Sequence, residues 1–456
     1  MAFGFFKKRE YADQIFSNGI IYTMDPNQPE AEAVACKGGE ILAVGDFEEL
    51  ESLVGDDTQV IDLEGKAMFP GFIKLVDAPA QTIFSQMYRM FPEWSGAGLD
   101  SFIDALSRAI AAEGEKDTLF FYGGSRPQLA GLTVQQVREA MDAICADRPV
   151  AVLFTDCSVC LLNTFASDAV KAAAEEDGVS MISLDYILSV IAPPDWEQYQ
   201  ASVIRQGRSF ASRGFTTVND CSSFDYPQAL YRNALQELLM EEQMDHRYLC
   251  SYLLMGPENQ PMLLRKLRQR QTECLELQDM IRCDGIHICI KPVITAGSEE
   301  AKLNFEEETL SALCVDVADI GCQFMVTAHS QDGLTMAAQA VGAVRDSGYK
   351  KNAAILAYDD ALSEKEMYEF VPKEEVFLWG DLDPSKAGSV KRLMERLTID
   401  AADALGMMDR LGSIQKGMAA DFTVLQSDPY KKKSPEDFYD IKVAFTVVDG
   451  HIISHD

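Results

Sequence analysis

The sequence predicts an α/β protein: a (β/α) barrel of the TIM type, joined to a small β-sandwich that both chain termini build. Apolar strand-like runs alternate with helical patterns through the middle of the chain, which is typical of βα units and a parallel sheet. Residues 12–64 instead form short alternating strands separated by turn signals, and two similar segments close the chain. Because chain termini often lie close together, we expect the two end segments to share one sheet or sandwich.

Three dipeptides in the end segments have the composition of tight hairpin turns. Asn18-Gly19 and Gly38-Gly39 lie between the first alternating runs, and Asp449-Gly450 divides the last two. Two-residue hairpin loops need positive φ angles, which Gly, Asn and Asp adopt most readily. Each dipeptide is therefore predicted to connect two antiparallel strands.

The barrel is predicted between these end segments. We assign residues 1–67 and 411–456 to the split sandwich and 68–410 to the barrel, with a mainly helical insertion at about 99–205 after the first barrel strand. The runs with the composition of strands are GFIKLV, TLFFYG, PVAVLF, GFTTVND, RYLCSYLLM, GIHICIKPV, CQFMVTAH, NAAILAYD and EVFLWGD. Helical patterns include VQQVREAMDAICA, YRNALQELLMEEQ and SVKRLMERLTIDAADALGM.

Charge and composition exclude several classes of function. The chain has 456 residues, with 40 Lys and Arg against 72 Asp and Glu, a formal net charge of −32. Such a surface repels phosphate backbones and anionic lipid, so we expect neither nucleic-acid nor membrane binding. The sequence contains no apolar stretch of about 18 residues and no secretory leader pattern. Eleven scattered cysteines favour reduced thiols and a cytoplasmic location.

Several motifs resemble the metal-dependent amidohydrolase superfamily, and within it the branch of the N-substituted formamide deformylases. They are SNGIIYTMD, VIDLEGKAMFPGFI, GFTTVND and, most specifically, LTIDAADALGMMDRLGSIQKGMAADFTVLQSDP. The resemblance covers nearly the whole chain. It implies a hydrolase of carbon–nitrogen bonds other than peptide bonds, in which a divalent metal activates water.

The first metal-binding motif of that family is missing here. The resemblance places a His-x-His pair at the end of the first barrel strand, where this chain has Val76 and Ala78, and an Asp two residues earlier, where it has Lys74. Valine and alanine have no lone pair for a metal ion. The usual pair of ligands on one strand face is therefore absent from the sequence.

The other ligand positions implied by the resemblance are changed too. Asn219 and Thr327 replace histidine ligands, Ala357 replaces a third, and His287 takes the place of a metal-bridging lysine. We therefore expect no conventional metal centre and no cofactor. A single divalent metal such as zinc, held by His287, His329 and one carboxylate, is the alternative.

An aspartate implied by the resemblance, the acceptor of a proton from the attacking water, corresponds to Asp381. Only 24 positions separate it from Ala357, which is short for two βα units. We therefore predict that one unit is deleted or degenerate, and that the barrel is open or has fewer than eight full strands. A turn carboxylate ahead of Pro384 is an equal alternative for Asp381.

The candidate catalytic residues are Asp381, Lys291, His287 and His329, and the candidate binding residues are Lys74, Asn219, Thr327 and Asp332. Lys291 lies in an apolar run, where a lysine of lowered pKa can act as a base or nucleophile without metal. If Lys74 points into the barrel, an ion pair with Asp381 would replace the metal–ligand bonds. His246, which precedes a strand, is expected to be a surface or hinge residue.

Two functions follow as hypotheses. The first is a divergent amidohydrolase that acts with little or no metal on a small molecule. The second is a catalytically inactive homologue that serves as a small-molecule binder or an assembly scaffold. Because such barrels often dimerise, a homodimer is an expectation for either function.

Overall fold

A computed structural model describes residues 11–92, 98–114, 116–123, 129, 131–154, 160–222, 225–277, 280–293, 302–348, 354–357 and 389–453. The chain divides into two compact units. The first unit contains Met1–Asp77, Ile204–Cys221 and Glu242–Asp456, and the second contains Ala78–Val203 and Ser222–Glu241.

Strands from both ends of the chain form one sheet in the first unit, as predicted. Its eight strands are β1 (Gln14–Tyr22), β2 (Glu30–Lys37), β3 (Glu40–Gly45), β4 (Gln59–Asp62), β5 (Ala67–Pro70), β18 (Phe422–Leu425), β19 (Val443–Val448) and β20 (His451–Ile453). The two ends of the chain meet where β5 pairs antiparallel with β18, with Met68 opposite Val424. Phe16, Val34, Met68 and Phe422 are buried in its core.

Two of the three predicted hairpin turns are confirmed. Gly38-Gly39 connects β2 to β3, and Asp449-Gly450 connects β19 to β20, with positive φ at all four residues. The prediction for Asn18-Gly19 is wrong. These residues lie inside β1, where the register shifts between Ser17 and Ile21 and the parallel partner of β1 changes from β4 to β5. An Asn with φ of 58° fits a β-bulge as well as a turn.

A curled, fully parallel sheet forms the barrel part of the same unit. In spatial order its strands are β6 (Phe72–Asp77), β11 (Phe215–Asp220), β12 (Arg247–Leu254), β13 (Ile281–Ile290), β16 (Gln323–Ala328) and β17 (Ala354–Ala357). Each strand of this sheet pairs in parallel with the next one in this order, as neighbouring strands of a TIM barrel do. The predicted strand around EVFLWGD lies outside the described residues.

Entry into the first barrel strand depends on Gly71. Its backbone N–H donates to the carbonyl oxygen of Asp421 at 2.8 Å, which joins the two sheets. A β-carbon at Gly71 would lie 2.0 Å from Oγ1 of Thr216, so no side chain fits at this crossing. The Pro70-Gly71 pair thus ends the terminal sheet and starts the barrel.

Alternation along each barrel strand separates an outer from an inner face. Ile286, Ile288 and Ile290 are buried against α9 (Gln260–Glu273), α10 (Glu307–Asp319) and α11 (Gln331–Asp346). Burying one such side chain contributes roughly 1.5–3 kcal/mol. On the inner face, Ile73, Leu75 and Met325 pack with α13 (Ile399–Ala404) and the loop that follows it, chiefly through Ala401, Ala404 and Leu405. The preceding helix, α12 (Val390–Leu397), packs with Phe72 on the other face of β6. His287 and Cys289 alternate with the outward isoleucines.

Side-chain caps start several of these helices. Asn259 caps α9, Ser330 caps α11 and Ser389 caps α12, each accepting a backbone N–H of the first turn. Short segments complete the unit: α1 (Phe47–Leu50), β14 (Pro292–Val293), β15 (Lys302–Leu303) and 3-10 turns at 51–53, 275–277, 429–431 and 435–440.

The second unit has its own small sheet with helices around it. β7 (Arg89–Met90), β8 (Leu119–Tyr122) and β9 (Val150–Leu153) are parallel, and β10 (Cys160–Leu162) is antiparallel to β9. Its helices are α2 (Pro79–Met87), α3 (Leu99–Glu113), α4 (Val134–Ile144), α5 (Thr164–Glu176), α6 (Leu184–Ile191) and α8 (Asp225–Met240), together with the first half of α7 (Trp196–Ala211), whose residues from Ile204 onward belong to the first unit. The TLFFYG and PVAVLF runs thus form a sheet apart from the barrel strands.

Candidate functional site

A buried imidazole–hydroxyl pair lies near the carboxyl ends of two neighbouring barrel strands. Nε2 of His287, on β13, is hydrogen-bonded to Oγ1 of Thr327, on β16. Thr327 is opposite Cys289, so His287 reaches its partner diagonally across the inner face. Only 5% of His287 and 2% of Thr327 is exposed. The structure therefore brings two sequence candidates together, at the end of a barrel where active sites are built.

The second ring nitrogen of His287 has no hydrogen-bond partner among the described residues. Burial, with a smaller effect of His329, lowers the pKa of His287 to about 4, so the ring is neutral at neutral pH. A buried polar atom without a partner costs roughly 1–3 kcal/mol. Nδ1 is thus a buried nitrogen whose hydrogen-bonding capacity no described residue satisfies.

His329 and Lys291 directly follow these two strands. The backbone N–H of His329 donates to the carbonyl oxygen of Ile290 at 3.0 Å, so the two strand ends stay side by side. Burial and the charge of Lys291 lower the pKa of His329, which keeps this imidazole neutral as well. Among the described residues, no carboxylate forms an ion pair with Lys291. The strand ends thus place one ammonium group near two neutral imidazoles.

Asn304, which the sequence analysis did not identify, fixes the position of Lys291. Its Oδ1 accepts the backbone N–H of Lys291 at 2.9 Å, and its Nδ2 donates to the carbonyl oxygens of Met255 and Cys289 at 2.8 Å each. One carboxamide therefore joins the ends of β12 and β13. Because asparagine is common in loops, its residue type alone did not indicate this role.

Asn219 is a structural residue of the sheet interior. Its Nδ2 donates to the carbonyl oxygen of Leu75 at 2.9 Å, and its Oδ1 accepts from Oγ of Ser251 at 3.0 Å. The side chain is completely buried. It therefore ties three adjacent strands together at the position where the resemblance implied a metal ligand.

The remaining candidates are not gathered at this cluster. Lys74 lies on the face of β6 opposite to Ile73 and Leu75, with Nζ 5.8 Å from the ring centroid of Phe215. The condition for the hypothetical ion pair, that Lys74 points into the barrel, is thus not met. Asp332 is exposed in the first turn of α11. Asp381 lies outside the described residues.

The described residues do not fit the metal centre of the family. Within the described ranges, no three His, Cys, Asp or Glu side chains come together as a set of metal ligands. Val76 packs against the apolar inner cluster, and Nε2 of His287 is already bonded to Thr327. A binuclear site needs several converging lone pairs, which this part of the chain does not supply.

A second buried polar group, missed by the sequence analysis, lies at the amino end of the same sheet. Arg247 starts β12 and donates to both carboxylate oxygens of Asp421, at 2.7 and 3.1 Å, and to Oδ1 of Asp449 at 2.8 Å. Burial lowers the pKa of Arg247, but the two carboxylates outweigh burial and raise it. Asp421 is the aspartate of the Ala-Asp-Phe motif, so that motif has a structural role here.

His246, immediately before Arg247, is also buried, and the expectation of a surface residue is wrong. Burial lowers its pKa to about 4. Because charged neighbours surround it in the sequence MDHRY, its burial could not be read from local composition.

A family profile matches most of this chain, and two known proteins match parts of it. A profile described as Amidohydrolase family matches residues 59–374 and 366–454. Protein LONG AFTER FAR-RED 3 of Arabidopsis thaliana is 25% identical over 240 residues, which are 47% of this chain and 39% of that protein. The exoenzymes regulatory protein AepA of Pectobacterium carotovorum is 34% identical over 77 residues, 17% of each protein. Both matches span well under two thirds of the relative's own length.

Solved structures share the fold at low sequence identity. An uncharacterized metal-dependent hydrolase from Pyrococcus horikoshii superposes with a TM-score of 0.54 at 16% identity, covering 92% of this chain and 98% of that one. A triazine hydrolase from Arthobacter aurescens gives 0.52 at 14% identity, with 97% and 94% covered. No helix among the described residues is long and apolar enough to cross a membrane.

Proposed function

Because the chain belongs to the amidohydrolase family, we propose that it hydrolyses a carbon–nitrogen bond, other than a peptide bond, in a small molecule at the carboxyl ends of β13 and β16. The observation that carries this proposal is the buried Nδ1 of His287, which has no partner among the described residues. His329 is close enough to influence the pKa of His287, and Lys291 is close enough to influence that of His329.

The proposed reaction uses the chain's own residues. His329 is neutral at neutral pH because burial and Lys291 lower its pKa, so it can accept a proton from an attacking water. The protonated ring can then give this proton to the leaving nitrogen as the carbon–nitrogen bond breaks. The ammonium group of Lys291 can stabilise the negative charge that develops on the substrate oxygen. His287 would hydrogen-bond the substrate through Nδ1, with Thr327 fixing the orientation of its ring.

No step of this proposal passes through a metal ion. The ligand positions of the family are occupied by aliphatic side chains or by polar groups already bonded within the protein. A metal would supply an activated water in the related hydrolases. In this proposal His329 activates the water as a general base.

A second candidate function is binding of a small molecule without turnover. The saturated hydrogen bonding of Asn219 favours it, since a side chain at a former ligand position now serves the fold. The same surface around His287 would then recognise an amide-like ligand, and His329 would have no proton to transfer.

Turnover assays on a panel of N-formyl compounds, imides and cyclic amides separate the two functions. We expect His329→Gln to lower kcat at least about 100-fold with little change in binding, because general base catalysis typically contributes 10²–10⁴-fold. His451→Gln, the same substitution at an exposed histidine of β20, is the matched control and should retain activity. Binding without turnover in the unmodified protein would support the second candidate.

Elemental analysis of protein purified without chelator tests the metal-free reaction. We expect no stoichiometric divalent metal. One equivalent of zinc, lost in His287→Ala and His329→Ala variants, would overturn that part of the proposal and support a single-metal site.

A further inference from the structure

A cavity lies on the outer side of the first barrel strand, within the first unit. Its volume is about 560 Å³, which is in the usual range for small-molecule sites. It lies between β6 and β11, α12 and the strands β18 and β19 of the terminal sheet. The residues that line it include Phe72, Phe215, Leu393, Phe438, Val443 and three cations.

The cavity walls are apolar and partly aromatic. Phe72 and Leu393 are buried, while Phe215, Phe438 and Val443 are only partly covered. The rings of Phe72 and Phe438 are 6.2 Å apart at their centroids. Partly covered aromatic rings around an open volume offer apolar area that a ligand can bury.

Three cations lie at the same cavity: Lys74, Arg213 and Lys442. Nζ of Lys74 and Cζ of Arg213 approach the Phe215 ring to 5.8 and 5.7 Å. None of the three forms an ion pair with a described carboxylate, and no Asp or Glu lines the cavity. The chain as a whole is acidic, with 72 acidic and 40 basic residues, whereas the charged groups of this cavity are all basic.

We propose that this cavity binds an amphipathic carboxylic acid, with its hydrocarbon or aromatic part against Phe72, Phe215 and Leu393. Its carboxylate would lie against Lys74, Arg213 and Lys442. Arginine binds carboxylates with strong, often paired hydrogen bonds, and unpaired ammonium groups add charge attraction. Because Lys74 and the inward Leu75 lie on opposite faces of β6, this site is separate from the His287 site.

The test is calorimetric titration of the full chain with decanoate and 1-naphthoate, and with decanol and 1-naphthalenemethanol as uncharged analogues. We expect the acids to bind at one site and the alcohols at least about tenfold more weakly, since one charge-assisted hydrogen bond is worth roughly 1.5–3 kcal/mol. Acetate, which lacks the apolar part, should not bind measurably.

Variants locate the site. Lys74→Met and Lys442→Met should each weaken decanoate binding about tenfold, whereas Lys416→Met, an exposed lysine elsewhere in the unit, should leave it unchanged. Val443→Trp fills the cavity from a partly exposed position and should abolish binding while the circular dichroism spectrum is retained. Equal binding of acid and alcohol, no binding of either, or undiminished binding to Val443→Trp would each overturn the proposal.

Discussion

Two buried polar groups, one at each end of the parallel sheet, differ in how fully they are hydrogen-bonded. At the amino end, Arg247 is held by Asp421 and Asp449 through three hydrogen bonds. At the carboxyl end, His287 has one partner and a second nitrogen without any among the described residues. A polar group with all its partners stabilises the fold, whereas an unsatisfied one lowers stability and favours a ligand. Arg247 is therefore a group that stabilises the fold, and His287 is the group that we propose binds a ligand.

The largest expected effect on stability comes from removing Arg247, the buried cation at the amino end of the sheet. Arg247→Met would leave Asp421 buried without its cation, so we expect the free energy of unfolding to fall by about 3–5 kcal/mol. Urea denaturation monitored by circular dichroism measures this loss. Arg282→Met is the matched control at the same end, because its pair with Asp284 is partly exposed and should be worth at most about 1 kcal/mol. Equal effects of the two substitutions would contradict the comparison.

The buried histidines at the two ends, His246 and His287, should make the stability of the protein depend on pH. The folded-state pKa values of His246 and His287 are about 4, below the unfolded value of 6.5, so the unfolded chain binds their protons first as the pH falls. The free energy of unfolding is therefore highest above pH 6.5. It falls by on the order of 3 kcal/mol per histidine as the pH falls from 6.5 to 4.

The measurement is the pH dependence of unfolding in His246→Gln, His287→Gln and the exposed control His451→Gln. The first two variants should show a flatter slope between pH 6.5 and 5 than the unmodified protein. The control should retain the full slope, and an unchanged slope in all three would show that the buried rings do not titrate as expected.

Removing polar groups at the carboxyl end should lower the free energy of unfolding less than Arg247→Met does. Thr327→Val takes away the partner of His287 and should lower the free energy of unfolding by about 1–3 kcal/mol. The double variant His287→Leu with Thr327→Val leaves no unsatisfied polar atom, so its stability should return to within about 1 kcal/mol of the unmodified protein. Thr446→Val, which removes a buried hydroxyl without a partner among the described residues, is a control that should raise the free energy of unfolding, by up to about 1–3 kcal/mol.

A double variant as unstable as Thr327→Val alone would mean that His287 stabilises the fold through contacts other than this pair. The double variant should also lose any turnover or ligand binding, because it removes the Nδ1 atom on which the proposed function depends.

The smallest effect concerns thiol reactivity at the two ends. A hydrogen bond with Cys250 lowers the pKa of Cys283, but its hydrogen bond with Cys274 and burial outweigh it and raise the pKa to about 11. Near the candidate site, burial raises the pKa of Cys289 while Lys291 counteracts it. Since the thiolate is the nucleophile, Cys289 should react with iodoacetamide faster than Cys283 in the native protein.

Peptide mass spectrometry over a time course measures the two rates, and the urea-unfolded protein, in which both thiols should react alike, is the control. Faster labelling of Cys283 would show that the amino end opens to solvent more readily than the carboxyl end.

Local sequence patterns were sufficient to predict the strands of the barrel sheet and two of the hairpin turns. The alternating runs predicted β6, β11, β12, β13, β16 and β17, and Gly38-Gly39 and Asp449-Gly450 predicted two hairpins, because strand periodicity and positive φ depend on neighbouring residues. Asn18-Gly19 was misassigned because a β-bulge and a hairpin turn place the same demand on φ. Only the pairing of β1 with β4 and β5 distinguishes them.

The site was predicted in part. His287 and Thr327 were candidates because they correspond to functional positions of the family, and the structure pairs them. Lys74 was placed with them by its position in the motif, yet its side chain lies on the other face of the strand. Asn304 and Arg247 carried no signal, since their partners are Met255 at a strand end and Asp421, which is 174 positions away.

By itself, the sequence determined the family, the α/β class and the loss of the usual metal ligands, because these depend on residue identity at Val76, Ala78 and the motifs around them. Tertiary structure alone decided which polar groups find partners. Hydrogen bonding and burial depend on where distant segments meet, so only the folded chain shows that Arg247 and Asn219 are engaged while Nδ1 of His287 is available.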